Sequence, residues 1–490
     1  MPEGRAGAGR RAVADAPAGG EPLPEGVPVV LDGGVRTAQG GRMLIGGAPV
    51  RVVRLSAAGA RAVGRWRAGA APAGAAERAL ARRLVDGGLA HPLPPPAAPP
   101  SGEADIVVPV RDRTRALGPL LAAVRADLPD VGVLVVDDAS ADRAGTARVA
   151  AEHGARLVRR ESCGGPAAAR NTGLAACRSP FVAFLDSDCV PDPGWLRRLL
   201  GHFADPGVGA AAPRILPARD GSGGVLARFE AARSPLDMGP APARVAPGGP
   251  VSYVPSAALV VRRAACPGGF DPDMPVGEDV DLVWRLADAG WAVRYEPAAA
   301  VRHAHRTRLG PLLRRRFDYG TSAGPLALRH GARVAPAVVS PWSGAAIALA
   351  AAGRPVGAAA VLAAAAALLV RRTGRAGPAV PAAEAARLVG LGTLGTARWL
   401  AASVARAWWP AALPAALASR RAAALLAAAA LAPPLAEWAD RRPPLDPLTW
   451  TALCLAADGA YAAGVWTGAA AARTPIPLLP VLSPARSAVH

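Results

Sequence analysis

Three groups of carboxylates and a pair of histidines stand out in the 490-residue sequence. Asp186, Ser187 and Asp188 follow the apolar run PFVAFL. Two carboxylates one residue apart at a strand end reach into one crevice around a bend, and such hard oxygen ligands suit Mg²⁺ or Mn²⁺ carrying a diphosphate. Asp137 and Asp138 end GVLVVDD. A carboxylate at the end of the second strand of a doubly wound sheet is where such folds contact a nucleotide; an N-cap and turn would use the same residues. Glu278, Asp279 and Asp281 open the run GEDVDLVWRL. Acidic side chains in a first helical turn favour the helix dipole, but three exceed what a cap needs, so a carboxylate here is a candidate base for a hydroxyl proton. The preceding Gly277 permits close backbone approach to a ligand. His303 and His305, in VRHAHR, follow a strand-like run, and an imidazole there would complete a cation site begun by Asp186 and Asp188.

For these groups to meet, the chain between them must fold as alternating strands and helices. DIVVPV (105–110) reads as a strand buried on both faces. In RTRALGPLLAAVRADL, Leu117, Leu120, Leu121, Val124 and Leu128 fall on one helical stripe. GVLVVDDAS, the helix DRAGTARVAAEHG, the Gly-started helix GGPAAARNTGLAAC, the strand PFVAFL and the helix PGWLRRLLGHF follow in turn. This alternation predicts an α/β domain with a parallel, doubly wound, Rossmann-like sheet that binds ligands at the carboxyl ends of its strands. No G-x-G-x-x-G follows the first strand and no G-x-x-x-x-G-K-[ST] occurs, which argues against a dinucleotide dehydrogenase and a P-loop ATPase.

The flanks differ in composition. Residues 1–22 read as a disordered leader without an apolar signal-like core. Residues 23–92 read as a small α+β unit of Gly-broken hairpins and a helix with Leu80, Leu84 and Val85 on one face. A Pro-rich linker (93–103) precedes the α/β domain of 104–335. From 336 to 490 the chain is Ala-rich and helical, with apolar stretches at 336–370, 388–405, 422–436 and 450–472 bounded by arginines. That pattern predicts membrane association, with the arginines at headgroup level. The net charge is +19, and every basic residue is arginine, since the chain has no lysine. With so much Ala, Gly and Pro, this reads as compositional bias and not as a nucleic-acid surface. Five cysteines without C-x-x-C spacing argue against a disulfide framework or structural zinc site.

Taken together, IVVPVRDR, DDAS, GGPAAARNTGL, FLDSD, GGFD, GEDVDLVWRL and the late histidine resemble the family 2 glycosyltransferases of the GT-A fold over about 105–320. The resemblance implies a nucleotide-sugar donor, a divalent cation (Mg²⁺ or Mn²⁺) and inversion at the anomeric carbon. It implies that Asp138 contacts the nucleoside, that Arg170 lies beside the base or diphosphate, and that Asp186 is near the nucleotide-sugar. Asp188 and His303 would bind the metal, and Asp279 would be the catalytic base. The Q-x-x-R-W run of processive members is replaced by RRRFDYG (314–320), which puts processivity in doubt and leaves Arg315 and Arg316 as candidate diphosphate contacts or membrane-surface residues. The whole arrangement, with LIGGAPVRVVRLS and RRRFDYGTSAGPLALRH, is most similar to the mycofactocin-system glycosyltransferases. That similarity implies UDP-glucose as donor, a peptide-derived redox cofactor precursor as acceptor, a cell-membrane location with the catalytic domain cytoplasmic, and no nucleic-acid partner. The 23–92 unit also resembles a PqqD-type peptide-recognition module. Two other readings stay open: a family 2 transferase acting on an envelope glycan or lipid carrier, and a non-catalytic membrane scaffold binding a precursor peptide.

Overall fold

The computed structural model describes residues 12–16, 20–97, 102–219, 223–304, 307–375 and 377–483. The N-terminal unit runs β1 (Val29–Leu31), β2 (Arg36–Ala38), β3 (Met43–Gly46), β4 (Arg51–Arg54), α1 (Ala57–Arg67), α2 (Gly74–Asp86) and β5 (Ala90–Pro92). Ser56 starts α1 by accepting the Gly59 N–H at 3.1 Å. Strands β2, β3 and β4 form an antiparallel sheet. The strand period of two splits β3 between two cores. Leu44 packs with Ala62, Trp66 and Leu84 inside the unit, whereas Met43 and Ile45 face Val380 and Ala385 of the C-terminal region. Arg82 of α2 binds Asp205 of the following domain through two bonds of 2.8 and 2.9 Å.

That domain begins with β6 (Ala104–Val110), α3 (Thr114–Asp127), β7 (Gly132–Asp137), α4 (Arg143–Glu152) and β8 (Arg156–Arg159). It continues through α5 (Gly165–Ala176), β9 (Phe181–Leu185), β10 (Cys189–Pro191), α6 (Trp195–Gly201), β11 (Val208–Pro217) and α7 (Val225–Ala232). β12 (Ala243–Val245), β13 (Ala258–Arg262), α8 (Glu278–Asp288) and β14 (Ala292–His303) complete it. The strand order is β10-β14-β11-β13-β9-β6-β7-β8, with β12 on β14. Strands β8, β7, β6 and β9 are parallel, as the alternating pattern requires. The other half departs from the expected all-parallel sheet, because β13 runs antiparallel to both β9 and β11, and β10 antiparallel to β14. Apolar runs buried on both faces carry no mark of strand direction, so only the topology decides it. Alternation along β6 feeds two cores: Ile106 and Val108 join the α3 stripe of Leu117 and Leu121, and Val107 joins Phe184, Phe270 and Leu282.

Residues 1–11 and 17–19 of the leader and 98–101 of the Pro-rich linker lie outside the described residues. Within the 1–22 leader, residues 12–16 lie along this domain: the Ala16 N–H donates to the Ala289 carbonyl at 2.9 Å, and Trp291 Nε1 donates to the Ala14 carbonyl at 2.6 Å. The Pro-rich segment is pinned in part, with the Ala97 N–H on the Arg197 carbonyl.

The chain continues through α9 (Leu309–Thr321) and α10 (Ala323–His330) into the C-terminal region of α11 (Pro341–Ala351), α12 (Pro355–Arg375), α13 (Ala382–Ser403), α14 (Trp409–Ala418), α15 (Arg420–Arg441) and α16 (Pro447–Ala471). A π-helical turn (Val404–Trp408) joins α13 to α14. Helices Pro355–Arg375, Ala382–Ala418 and Arg420–Arg441 are long and apolar enough to cross a membrane. The apolar stretch 450–472 differs from the membrane expectation. It forms α16, whose Trp450, Cys454 and Ala457 are buried with Phe229 of α7 and Leu312 of α9. Gly320 and Gly324 face Gly464 and Gly468 at backbone contact, so a Cβ on any of the four would fall on a carbonyl or backbone of the opposite helix. Spacing of four residues puts each glycine pair on one helix face, which lets the axes approach closely.

Overpacking a filled interface costs about 1–3 kcal/mol or more. Gly464→Val should therefore lower the thermal midpoint by several degrees, whereas the Thr467→Val control on the solvent side should move it by less than a degree; calorimetry of both variants checks this.

Candidate active site

The eight residues given a site role by the resemblance line one cleft of about 950 Å³, between the strand ends of the α/β domain and the C-terminal helices: Asp138, Arg170, Asp186, Asp188, Asp279, His303, Arg315 and Arg316. The Asp186–Ser187–Asp188 triplet is a turn between β9 and β10, closed by the Cys189 N–H on the Asp186 carbonyl at 2.9 Å. Because β10 pairs with β14 in the register Cys189↔His303, Asp188 lies beside the histidine. Asp188 Oδ2 and His303 Nε2 are 3.6 Å apart. Arg113, exposed after β6, also pairs with Asp188. His305 lies outside the described residues.

Arg170 is the centre of the site. It projects from α5 and is 3% exposed. Its Nη2 donates to Asp186 Oδ1 at 2.7 Å and its Nη1 to Glu278 Oε1 at 2.9 Å, with the guanidinium 5.4 Å from the Phe270 ring centroid. Burial opposes its charge, but the carboxylates of Asp186 and Glu278 outweigh that and raise its pKa above the ordinary arginine value. One guanidinium thus clamps the start of α8 to the end of β9.

The α8 carboxylates have three different roles. Burial, then the like charge of Asp279, push Glu278 up to about 7. Burial also raises Asp279, opposed by the Ser256 N–H on Oδ2 at 3.2 Å and by the charge of Arg170. Asp279 lines the cleft while only half-buried. Asp281 turns away from the cleft into the core, where it accepts from Arg285 Nε at 2.7 Å and lies 3.0 Å from His330 Nε2. Burial disfavours its charge, but these partners hold its carboxyl below the usual range. Gly277, at φ +84°, admits close approach as expected, but of Ser322 and not of a ligand: an added Cβ would sit 2.9 Å from Ser322 Cβ.

Two of the assigned residues already have partners within the protein. Asp138 lines the cleft, but its carboxylate already accepts from Arg160 Nε at 2.7 Å and from the Gly164 and Gly165 N–H groups at 3.0 and 2.8 Å. Burial opposes its charge, yet the Gly164 N–H, the Cys163 thiol and the Gly165 N–H bring its pKa below the ordinary value. It therefore anchors the Gly-rich start of α5. Arg316 is held by Glu230 and, at 3.3 Å, by the Arg233 carbonyl. Arg315 instead stacks over Tyr319, 4.6 Å from its centroid, and faces the cleft.

A cation fits one part of the site. Among the described residues, no group of three His, Cys, Asp or Glu side chains converges. Mg²⁺ and similar ions, however, are commonly held by one or two protein groups plus substrate phosphates. The Asp188 oxygen and His303 nitrogen are close enough to share one ion, and the carboxylate oxygen suits Mg²⁺ or Mn²⁺.

Sequence reasoning missed the far wall of the cleft. Tyr253, Tyr319, Tyr461, Arg406 and Asp458 line it. Arg233 binds Glu437 at 3.0 Å and Asp458 at 3.1 Å, and Arg406 Nε binds Asp458 at 3.0 Å. Burial, then the nearby charge of Asp279, raise the Tyr253 hydroxyl well above the usual phenol range. The legible signal was a lone carboxylate, Asp458, inside the apolar α16; Tyr253 had none.

Residues 105–264 match the family model described as glycosyl transferase family 2. The chain is 41% identical over 458 residues to the "Pre-mycofactocin glycosyltransferase" of Mycobacterium tuberculosis, covering 91% of this chain and 96% of that protein. The chain belongs to the pre-mycofactocin glycosyltransferases, within that GT-A-fold family. A glycosyltransferase of Haloferax volcanii is 25% identical over 225 residues, 44% of this chain and 71% of its own. A mannosyltransferase of Pyrobaculum calidifontis, solved with GDP-Man and Mn²⁺, is 21% identical at a TM-score of 0.37, covering 61% of this chain and 82% of that one.

A carboxyl raised from 4.5 to about 7 by folding holds its proton more tightly when folded. The stability this gives is complete below about pH 4.5 and is lost as pH rises through about 7. The thermal midpoint of the unaltered protein, measured relative to Glu278→Gln, should therefore decline between pH 5 and pH 8. Parallel curves would show that Glu278 is not shifted.

Proposed function

We propose that this protein transfers glucose from UDP-glucose, with inversion, to a hydroxyl of a peptide-derived redox cofactor precursor. The observation that carries this reading is the Arg170 clamp, which sets Asp279 on α8 beside the strand-end aspartates within one cleft. Asp279, half-buried and held by the Ser256 and Val280 N–H groups, is oriented to take the acceptor proton. As that proton moves to the Asp279 carboxylate, the acceptor oxygen bonds the anomeric carbon. The bond to the leaving diphosphate breaks on the opposite face, and its electron pair departs with UDP. The raised pKa values of Asp279 and Glu278 support a proton-accepting role, since a base works best with a pKa near the working pH.

Asp188 and His303 are the residues that would hold a divalent cation. Such an ion supplies Lewis-acid neutralisation of charge on the departing diphosphate. Arg113, paired with Asp188, and Arg315, facing the cleft, are placed to add positive charge on the same side. The N-terminal unit is assigned to hold the peptide-derived part of the acceptor. The exposed edge strand β2 supports this, because it leaves backbone groups open for strand addition. The C-terminal region is assigned to the cell membrane with the catalytic domain on the cytoplasmic side, in keeping with its apolar, arginine-flanked helices.

Asp279→Asn should leave UDP-glucose binding within about threefold by calorimetry while lowering transfer by at least ~10³-fold, the scale of losing a general base together with its charge. Normal turnover by this variant would refute the base assignment. Asp188→Asn and His303→Ala should each weaken Mn²⁺-dependent UDP binding at least tenfold, and excess chelator should stop transfer. A full rate in chelator would remove the cation from the reading.

A further inference from the structure

The long apolar helices are tied at their ends in a way that bears on how they meet a membrane. Helix α13 starts against the N-terminal sheet: Ala385 packs with Met43, Ile45 and Val52, and Glu384 pairs with Arg36 at 3.1 Å. It ends in the catalytic cleft, where the Ser403 hydroxyl donates to the Pro336 carbonyl at 2.7 Å and the following Arg406 pairs with Asp458. The N-terminal unit and the catalytic domain are themselves joined by Arg82 and Asp205. With 22 residues, α13 is about 33 Å long, enough to cross a bilayer core of about 30 Å. Crossing would put one of its ends on the far side, yet both ends hold the same folded body. Helix α15 likewise returns to the catalytic domain, where Arg233 binds Glu437.

The opposite corner of the helical layer cannot reach across either. There α11 meets α12 and α14 meets α15, and Arg421 donates to the Ala351 carbonyl. The corner is joined to the body by α11, of 11 residues, and α14, of 10 residues. Each is about 15–17 Å long, half the thickness of the hydrocarbon core. The corner also carries Arg354, Arg420 and Arg421, while Arg371, Arg372, Arg375 and Arg441 mark the other ends of α12 and α15. Charged side chains at both ends of a helix belong at headgroup level. Between them, Leu391, Leu394, Leu413, Leu417, Leu425 and Leu431 are exposed.

We infer that helices α11 to α15 form a platform lying in the interface of one leaflet of an anionic bilayer, and do not cross it. The occupant of the apolar face is lipid of that leaflet. The arginine border supplies the charge complementarity for anionic headgroups. Trp399 of α13 both lines the cleft and is 48% exposed, so the cleft opens next to the lipid surface. This inference rests on the membrane assignment proposed above, and the two fail in different ways.

The test uses the full chain carrying Ser419→Cys, at the α14–α15 corner. Cys163, exposed on the catalytic domain, serves as the internal reference. A membrane-impermeant maleimide is applied to inside-out and right-side-out membrane vesicles, and modified peptides are read by mass spectrometry. Residues 419 and 163 should be modified in the same vesicle orientation. Modification of 419 from the opposite face, or only after detergent, would overturn the in-plane arrangement while leaving membrane association intact. Flotation with phosphatidylglycerol-containing vesicles should exceed flotation with phosphatidylcholine alone by at least ~tenfold, and Leu413→Glu with Leu417→Glu should reduce it by a similar factor. No flotation with either lipid, together with self-association by light scattering, would overturn both readings and assign the apolar face to a second copy of the chain.

Discussion

The site depends on one buried guanidinium between two carboxylates. Asp186 ends a central strand and Glu278 starts a helix that follows it by some ninety residues, and two like charges would repel at this distance in a dry interior. Arg170 converts that repulsion into a clamp with bonds of 2.7 and 2.9 Å. The clamp fixes the first turn of α8 relative to the strand ends, and with it the neighbouring Asp279. Its position on α5 is in turn set by Asp138, whose carboxylate gathers the Gly164 and Gly165 N–H groups at the start of that helix. Asp138, which also lines the cleft, thus holds the helix that delivers the central arginine.

The cleft has two walls of different origin. One is the carboxyl edge of the sheet, where turns after β6, β7 and β9 present Arg113, Asp138 and the Asp186–Asp188 turn, as expected for open α/β sheets. The other comes from helices of the alanine-rich region. Glycine pairs on α9–α10 and on α16 allow backbone contact, which brings Asp458 and Tyr461 to the cleft. Arg233, Glu437, Asp458 and Arg406 then join α7, α15, α16 and the π-helical turn in one ion-pair network. Removing one member of such a partly buried network leaves charges without partners, so the network is expected to hold the helical wall in a fixed arrangement.

Much of this was legible in the residues. Apolar runs of strand length ending in carboxylates gave the α/β class and the edge on which the chemistry would sit, and the stripe Leu117, Leu120, Leu121 and Val124 is buried as its helical period requires. The carboxylate, histidine and arginine positions assigned to the site all line the cleft. These readings rest on local periodicity and on which side-chain chemistry follows a strand, and both are properties of short stretches of chain.

Strand direction, partner choice and which carboxylate faces solvent were decided by the tertiary structure. β13 runs against its neighbours, although its sequence is as apolar as that of a parallel strand. Within one helical turn, Asp279 faces the cleft and Asp281 faces Arg285 and His330, a difference set by which helices pack around α8. The stretch 450–472 is apolar enough to be read as a membrane segment but packs one face against the protein, because Gly464 and Gly468 fit the groove that Gly320 and Gly324 leave open. Composition fixes how strongly a segment avoids water; whether lipid or protein covers it depends on complementary surfaces that only the assembled chain brings together.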